Sequence, residues 1–305
     1  MQIALLDHGH WHRSMYLQAF EAIGQPFWNG SDAAETNLEV MLRSRPELVV
    51  VLGTPQDMLR EVEGCISAGV AVAAEKPVGR HAAELEPLAE LARQQGAFVT
   101  VAQPHLLGEF WDVCTPEAGG PLSHLRFRLV NGSPERYAAW GVPWVTHPDV
   151  AGGGALRNLG IHGIGAFLKA TTGEVQVQSC VLSRRLFGME TEEYAAVTLS
   201  AGGVIGHIEV GYTAAVDDAS DFELSAHRQD LSVRDDGQAL TVFDRRAGRT
   251  RVQPVVPLAR RYELFAAATV QAIQTGGPAP HSLDDHLAAM RVIDACYAAA
   301  TWADA

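Results

Sequence analysis

Short apolar runs alternate with amphipathic segments through the first hundred residues of the chain. The runs read QIALL, PFW, LVVVL, VAVAA and FVTVA. The segments between them place apolar residues at helical spacing: RSMYLQAFEAI, LEVMLRS, QDMLREVEGCISAG and AAELEPLAELARQQG. Buried strands without polar alternation, joined by helices, are typical of parallel sheets. We therefore predict repeated strand–helix–strand units, forming one α/β domain over residues 1–106.

The pattern changes after residue 106 to segments with partial alternation of apolar and polar residues. These segments read LSHLRFRLVN, VQVQSCVLSR, EYAAVTLSA, VIGHIEVGYT, DFELSAH, DLSVRD and ALTVFD, and turn signals such as Gly202-Gly203 and Asp236-Gly237 join several of them. One helix, ALRNLGIHGIGAFLKATTG, is predicted between the first two strands. Two more, RRYELFAAATVQAIQTGG and SLDDHLAAMRVIDACYAAATWA, follow, with Ser282 as a helix cap. Residues 107–305 therefore form a predicted α+β domain, an open, mostly antiparallel sheet with helices on one face, whose last helix can pack back on the first domain.

Charge and composition exclude several classes of protein. The chain of 305 residues carries a formal net charge of -13, which argues against binding to a phosphate backbone of nucleic acid. No apolar run reaches membrane-spanning length, and no signal peptide opens the sequence. The four cysteines are far apart and form no CxxC motif, which is typical of a reduced, cytoplasmic protein.

Lysine is scarce, because nearly all basic residues are arginine and only Lys76 and Lys169 remain. In VAVAAEKPVG a buried strand runs directly into Glu75, Lys76 and Pro77, at the sheet edge where ligands bind. Pro77 restricts Lys76 to an extended backbone. Burial of the amine would let it take part in proton transfer or polarise a substrate oxygen. The alternative is an ordinary surface salt bridge.

The first strand ends in a loop, DHGHWHRS, whose glycines have largely been replaced. At the glycine positions of the dinucleotide motif G-x-G-x-x-G stand Asp7, Gly9 and His12. A carboxylate at Asp7 would repel phosphate unless it turned away. Four residues of the loop could line a cofactor or form a plain solvated turn, and the three histidines among them could instead bind a metal ion, as in hydrolases built on a (β/α)-barrel. The four residues are His8, His10, Trp11 and His12.

Two further motifs stand where chemistry is expected. The third apolar run ends in Gly53, Thr54 and Pro55, which open the next helix at the ligand-binding edge. In AGGGALRNLGIHGIG, Asn158 and His162 are four residues apart and share a helix face. His162 is a candidate general acid or base, or else a packed histidine. The glycines of this helix, at positions 160, 163 and 165, predict a close approach by a cofactor or by the other domain.

Together these residues resemble the glucose-fructose oxidoreductase/inositol dehydrogenase (Gfo/Idh/MocA) family of NAD(P)-dependent enzymes. The resemblance rests on the Rossmann-like first domain, on GTP, EKP and GGGALRNLGIH in this order, and on the closing AIQTGGPAPHSLDDHLAAMRVIDACYAAA. It implies a two-domain dehydrogenase that binds NAD or NADP between its domains. It further implies a sugar, cyclitol or related polyol as substrate and a homodimer or homotetramer as the assembly.

The resemblance also implies roles for individual residues. Lys76 and His162 match the catalytic lysine and histidine, and Asn158 stands where an aspartate is usual. Val145, after Trp144, replaces a common substrate-binding arginine, so the usual substrate pattern is not kept. The implied cofactor residues are His8, Gly9, His10, Trp11, His12, Asn29, Ser31, Gly53, Thr54, Pro55, Glu75, Lys76 and Pro77. The implied substrate residues are His105, Trp144, Asn158 and His162.

Three functions remain open from the sequence. The favoured one is hydride transfer between NAD(P) and a secondary alcohol or ketone, with no metal ion. The second is a binding or regulatory protein that has lost catalysis, because the glycine loop is altered and Asn158 replaces an acid. The third, least favoured, is a metal-dependent hydrolase built on His8, His10 and His12.

Overall fold

A computed structural model describes residues 1–28, 37–213 and 220–304. The first domain contains a parallel sheet with strand order β1-β2-β3-β4, which confirms the predicted α/β arrangement. All side chains of β1 and β2 are buried because helices cover both faces of the sheet. The elements are β1 (Ile3–Asp7), α1 (Arg13–Ala22), α2 (Leu38–Leu42), β2 (Leu48–Leu52), α3 (Pro55–Ser67), β3 (Ala71–Ala74), α4 (Ala82–Gln95) and β4 (Val99–Val101).

The predicted strand PFW is wrong. Residues 26–28 make one backbone hydrogen bond to β1, from Trp28 N to Ile3 O at 3.0 Å, but they form no ladder. Phe27 is buried against Phe20 of α1, with ring centroids 5.0 Å apart, whereas Trp28 is half exposed. The run is apolar because it closes the end of the sheet's core, not because it extends the sheet.

The GTP motif is a helix start. Thr54 caps α3, because its Oγ1 accepts the backbone N–H of Asp57 at 3.2 Å while the Asp57 carboxylate accepts the N–H of Thr54 at 3.3 Å. Pro55 occupies the first helical position, where a missing N–H costs nothing. These contacts fix the geometry of the loop after β2.

The second sheet has nine strands in the order β12-β11-β10-β9-β5-β8-β7-β6-β13. It is mostly antiparallel as predicted, but the pairs β5–β8 and β6–β13 are parallel. Strands β12 and β13 were not predicted. The elements that lead into and form this sheet are α5 (Glu109–Val113), α6 (Pro116–Gly119), β5 (Leu122–Asn131), α7 (Glu135–Ala139), α8 (Pro148–Ala151), α9 (Ile161–Ala170), β6 (Gln176–Ser183), β7 (Tyr194–Ala201), β8 (Val204–Tyr212), β9 (Asp221–Arg228), β10 (Leu231–Asp235), β11 (Ala239–Asp244), β12 (Arg249–Pro254) and β13 (Thr301–Trp302).

One face of this sheet carries crossed ion pairs beside exposed apolar side chains such as Ile205 and Val181. Arg126 Nη2 lies 3.1 Å from Glu209 Oε2, and Arg128 bridges to both Glu209 and Asp221. Paired charges of this kind keep an uncovered sheet face compatible with water, although each exposed pair contributes little to the free energy of unfolding. The homodimer or homotetramer that the resemblance implies stays a prediction.

The predicted helix between the first two strands has two parts. Leu156–Gly160 forms a π-helical turn, and α9 continues from it. A π turn widens the helix and is frequent at functional sites. A Cβ on Gly163 would lie 2.6 Å from Phe127 Cδ1 and 2.8 Å from Ile208 Cγ2. The close approach at this glycine is therefore to the domain's own sheet, which corrects the expectation of a cofactor or of the other domain.

We expect Gly163→Ala and Gly165→Ala to differ in sign. The first forces Phe127 and Ile208 to shift, so it should lower the free energy of unfolding by about 1–3 kcal/mol. At Gly165 a Cβ meets Leu106 Cδ1 at 3.6 Å, an ordinary contact, so alanine should raise stability by up to about 1 kcal/mol. Urea unfolding with comparison of midpoints at constant slope measures both. A midpoint for Gly163→Ala equal to that of the wild type would mean that Phe127 and Ile208 can shift at no cost in free energy.

The two C-terminal helices pack against the first domain. These are α10 (Leu258–Thr275), which lies on α1, and α11 (Leu283–Ala298), which lies between α4 and α9. Ser282 caps α11 as predicted, in a reciprocal pair with Asp285. Tyr262, Phe265 and Val270 of α10 belong to the same buried cluster as β1 and α1. No helix among the described residues is long and apolar enough to cross a membrane.

Candidate functional site

A cavity of about 470 Å³ lies between the carboxyl edge of the parallel sheet and the second domain. The loops after β1, β3 and β4 form one wall, and α7, the π turn and β9 contribute to the other. A second hollow of about 450 Å³, at the end of α4, is lined mainly by small apolar residues. The interdomain cavity holds the titratable groups that the sequence singled out: His12, Lys76, His105 and His162.

Lys76 is fully buried at the cavity wall. Its Nζ donates hydrogen bonds to Asn158 O at 2.7 Å and to Asn158 Oδ1 at 3.0 Å. Burial lowers the pKa of Lys76 to about 8, against the opposing effect of the neighbouring Glu75 carboxylate. An ammonium has three N–H bonds, so one remains for a ligand in the cavity.

Both polar atoms of the Asn158 side-chain amide form hydrogen bonds. While Oδ1 accepts from Lys76, Nδ2 donates to the hydroxyl of Tyr137 at 2.9 Å and to that of Tyr212 at 3.1 Å. Two acceptors at Nδ2 suit an amide, and this arrangement fixes the lysine without adding a negative charge. The two tyrosines come from α7 and β8 and carried no sequence signal that linked them to Lys76.

His162 presents one ring nitrogen to the cavity. Its Nδ1 lies 2.8 Å from Oε1 of Gln103. In the tautomer in which Nδ1 donates to this oxygen, Nε2 is the unprotonated nitrogen. Burial, and then the Lys76 charge, hold the pKa of His162 well below its usual range. The sequence analysis missed Gln103, although it follows β4 directly, at the same sheet edge where Lys76 follows β3.

A third histidine borders His162. The ring centroids of His105 and His162 are 4.9 Å apart, and His105 stacks on Phe222. Burial and the Arg261 guanidinium lower the pKa of His105 to about 3, so the ring is neutral. Arg261 itself is buried in an ion pair with Asp235. Arg261 and Phe222 are wall residues that the sequence analysis did not find.

Asp7 turns away from the cavity. Its Oδ1 accepts the backbone N–H of Gly9 at 2.9 Å, and its Oδ2 lies 3.0 Å from Arg13 Nε. Burial raises the pKa of Asp7, opposed by these contacts. Gly9 has φ of 90°, a conformation that requires glycine, and a Cβ there would meet nothing within 4 Å. The altered loop therefore keeps its tight turn and hides its carboxylate.

The three histidines of this loop do not converge on one point. His8 lies against α3, with Nε2 3.2 Å from Glu61 Oε1. Instead, His10, His12 and Glu75 have potential ligand atoms that all lie within 4.8 Å of one another. His12 Nδ1 also lies 2.9 Å from the Tyr262 hydroxyl.

Two buried atoms of this cluster lack a partner. His10 stacks on Trp11 at 3.8 Å and accepts the His12 N–H at its Nδ1, while its Nε2 makes no hydrogen bond within the described part of the chain. Glu75 Oε2 accepts from the Tyr16 hydroxyl at 2.7 Å, whereas Oε1 is equally unpartnered there. Burying a polar atom without a hydrogen-bond partner costs free energy, so these two atoms indicate a binding site for a polar ligand.

Comparison with known families identifies the second domain. Residues 117–232 match the model described as the GFO/IDH/MocA C-terminal domain. This segment of the second domain is therefore similar to the C-terminal domain of the Gfo/Idh/MocA family. The resemblance seen in the sequence is thereby confirmed, although a search of curated proteins finds no match.

Solved structures with a similar fold cover nearly the whole chain. An oxidoreductase from Agrobacterium radiobacter, crystallised with NAD+, L-tartaric acid and magnesium, has 13% identity and a TM-score of 0.82, over 98% of this chain and 96% of that one. An oxidoreductase domain protein from Kribbella flavida has 17% identity and a TM-score of 0.83 over the same shares. A levoglucosan dehydrogenase crystallised with NADH and levoglucosan has 15% identity and a TM-score of 0.79, again over these shares. At such identities the likeness establishes the two-domain fold.

The remaining positions implied by the Gfo/Idh/MocA resemblance lie around the site at different depths. Gly53 packs against His8, where its Cβ would come within 3.2 Å of the His8 Cβ. Trp144 lies beside Trp11, 5.9 Å between centroids, and borders a small hollow with Pro77 rather than the main cavity. Asn29 and Ser31 fall outside the described residues.

Proposed function

We propose that the protein is an NAD(P)-dependent oxidoreductase that interconverts a CH–OH group and a carbonyl of a sugar, cyclitol or related polyol. The observation that carries this proposal is the convergence of Lys76 and His162 on one interdomain cavity. Each is buried, and each is oriented by an amide side chain, Asn158 for the lysine and Gln103 for the histidine. The neighbouring folds crystallised with NAD+ or NADH support the choice of cofactor class.

In the oxidation direction His162 Nε2 takes the hydroxyl proton. The ring is neutral near pH 7 because burial lowers its pKa, so it can accept a proton there. Lys76 donates its free N–H to the same oxygen and stabilises the negative charge that develops on it. A nicotinamide bound in the cavity would supply the acceptor for the hydride that leaves the carbinol carbon. In the reduction direction Lys76 polarises the carbonyl oxygen.

The loop after β1 fits a dinucleotide despite its lost glycines. Gly9 leaves open space, and the Asp7 carboxylate is turned away from the cavity. The unpartnered His10 Nε2 and Glu75 Oε1 belong to the cluster that also contains His12. We expect Trp11, His12 and Glu75 to hold the cofactor between them. The choice between NAD and NADP depends on the segment after residue 28, and it stays open.

Titration with NADH and NADPH is the first test. Nicotinamide fluorescence and thermal stability are followed together, because a ligand that binds only the folded state raises the unfolding temperature. Micromolar binding of one nucleotide, followed by turnover with a panel of sugars and polyols, is the expected result. Gly9→Val, which strains a φ of 90°, should weaken binding, whereas Gly248→Val places the same strain in a turn far from the cavity and should not.

The two alternatives give different results in the same experiment. A protein that binds nucleotide but turns over no substrate would be a binding or regulatory protein on this fold. The cluster of His10, His12 and Glu75 keeps a metal-dependent function as the second candidate. Elemental analysis that finds one metal ion per chain, with no nucleotide bound, would replace our proposal by this candidate.

A further inference from the structure

The charges on the cavity wall do not balance. Among the described residues, three cations line it, Lys76, Arg136 and Arg261, against a single carboxylate, that of Asp236. The Arg261 charge is neutralised behind the wall by the buried Asp235. The Lys76 ammonium has the adjacent Glu75 as its nearest opposite charge. The two groups whose charge decides the balance are therefore Arg136 and Asp236.

The carboxylate of Asp236 is occupied by its own turn. Its Oδ1 accepts the backbone N–H groups of Gln238 at 3.1 Å and Ala239 at 2.8 Å, and Arg234 Nη1 lies 3.8 Å from its Oδ2. These contacts lower the pKa of Asp236 and hold it ionised where it stabilises the turn between β10 and β11. It forms no ion pair with Arg136.

Arg136 has no anionic partner among residues 1–28, 37–213 and 220–304. Its Nε is buried and makes no hydrogen bond there, and its guanidinium stacks over the Trp140 ring with 5.0 Å between Cζ and the centroid. Stacking fixes the plane of a guanidinium and leaves its edge free for a planar anion. A cation held rigidly in a cavity wall, without a counter-ion, is a prepared binding group.

The position of Arg136 connects it with the reacting groups. It precedes Tyr137 on α7, and the Tyr137 hydroxyl accepts from Asn158, which in turn holds Lys76. A compact ligand can therefore present one end to Arg136 and a carbon bearing oxygen to Lys76 and His162.

We propose that the substrate is a hydroxy acid of the sugar-acid class, whose carboxylate binds the Arg136 guanidinium while a hydroxyl on the same chain meets Lys76 and His162. This inference rests on the proposed function and narrows its substrate class. One unpaired guanidinium matches one negative charge, and its fork of N–H donors matches the two oxygens of a carboxylate. A phosphate ester carries up to two charges and would call for a second free cation.

The test compares matched acids and polyols with wild-type protein and variants. D-gluconate and D-sorbitol share the hydroxyls on C2 to C6 and differ at C1, which is a carboxylate in gluconate and a hydroxymethyl group in sorbitol. Further acid–polyol pairs vary the stereochemistry. We expect kcat/KM to favour the acid of the best pair. Arg136→Met should lower kcat/KM for that acid roughly a hundredfold, because two charge-assisted hydrogen bonds are lost, and leave the polyol unchanged. For the same acid, the kcat/KM of Arg136→Lys should lie between those of the wild type and Arg136→Met.

Arg184→Met is the matched control. Arg184 also stacks on a tryptophan, with 5.1 Å between its Cζ and the Trp302 ring centroid, but it lies outside the cavity. Its replacement should leave the acid-to-polyol ratio unchanged. The Kd for NADH is measured for each variant as well. A weaker Kd in Arg136→Met would assign the arginine to the cofactor and overturn the proposal.

The remaining outcomes separate this proposal from the proposed function. Polyols preferred over acids, with no effect of Arg136→Met, would overturn the substrate class and leave the oxidoreductase standing. Preference for glucose 6-phosphate over both would overturn it as well. If neither NAD+ nor NADP+ is reduced in the presence of any of these compounds, the oxidoreductase fails. Gluconate binding to the NADH complex of wild type but not of Arg136→Met would then still support the acid site, and absence of binding would overturn it.

Discussion

Replacing Lys76 by methionine is expected to lower the rate of hydride transfer by roughly a hundredfold or more. Methionine keeps much of the buried volume but removes the N–H that meets the substrate oxygen. The loss should appear in the single-turnover rate, followed by nicotinamide absorbance, because the charge that Lys76 stabilises develops in the transition state. Near wild-type turnover in a folded variant would remove Lys76 from the mechanism.

The pH dependence gives a second measurement of the same residue. With a pKa of about 8, Lys76 carries its charge below pH 8 and loses it above. The wild-type kcat/KM for carbonyl reduction should therefore fall as the pH rises through about 8, since a neutral amine polarises oxygen poorly. The Lys76→Met profile should be flat in this range. Thermal unfolding at each pH separates this effect from loss of the fold.

His162→Ala is expected to slow alcohol oxidation between roughly a hundredfold and ten-thousandfold. The reason is geometric, because Gln103 holds the ring at 2.8 Å and leaves Nε2 as the group that takes the proton. Added imidazole should restore part of the activity by entering the space that the ring leaves. An alanine variant that oxidises its substrate at the normal rate would show that the proton leaves by another route.

Gln103→Glu tests whether the amide positions His162. A carboxylate beside Nδ1 favours the charged imidazolium and raises the pKa of His162. Since the proton must be taken by the neutral ring, the acid limb of the oxidation profile should move to higher pH. Gln103→Leu should instead lower kcat without this shift. A merely structural role for Gln103 would change stability and leave the pH profile in place.

The parts of the fold that the sequence predicted are those in which burial is local. LVVVL reads as a parallel strand because every residue of β2 faces a helix layer, and the alternation in YAAVTLSA reports the one covered face of β7. β12 was missed because RTRVQP is an almost wholly exposed edge strand, so no apolar pattern marks it. The prediction of a strand at PFW was wrong for the opposite reason. Buried apolar residues outside a ladder give the same sequence pattern as a short strand.

The residues of the candidate site likewise fall into those that the sequence could predict and those that it could not. Lys76 could be predicted because it follows a buried strand and because lysine is rare in this chain. Tyr137 and Tyr212 could not, because their contact with Asn158 is set by packing between elements far apart in sequence. His8 was grouped with His10 and His12 by spacing alone, whereas the structure puts Glu75 in its place, from a different strand. Long-range proximity of this kind leaves no periodic signal.

The packing of α10 on α1 has a consequence for biosynthesis. The buried cluster around β1 contains residues of both helices, so the first domain lacks part of its core until α10 exists. Translation of the intervening stretch takes on the order of ten seconds at typical rates. During that time apolar side chains such as Phe20 of α1 await their partners on the nascent chain. The core of the first domain is therefore completed only after α10 has been synthesised. Until then the apolar surface of α1 and β1 that α10 covers is available for chaperones to bind.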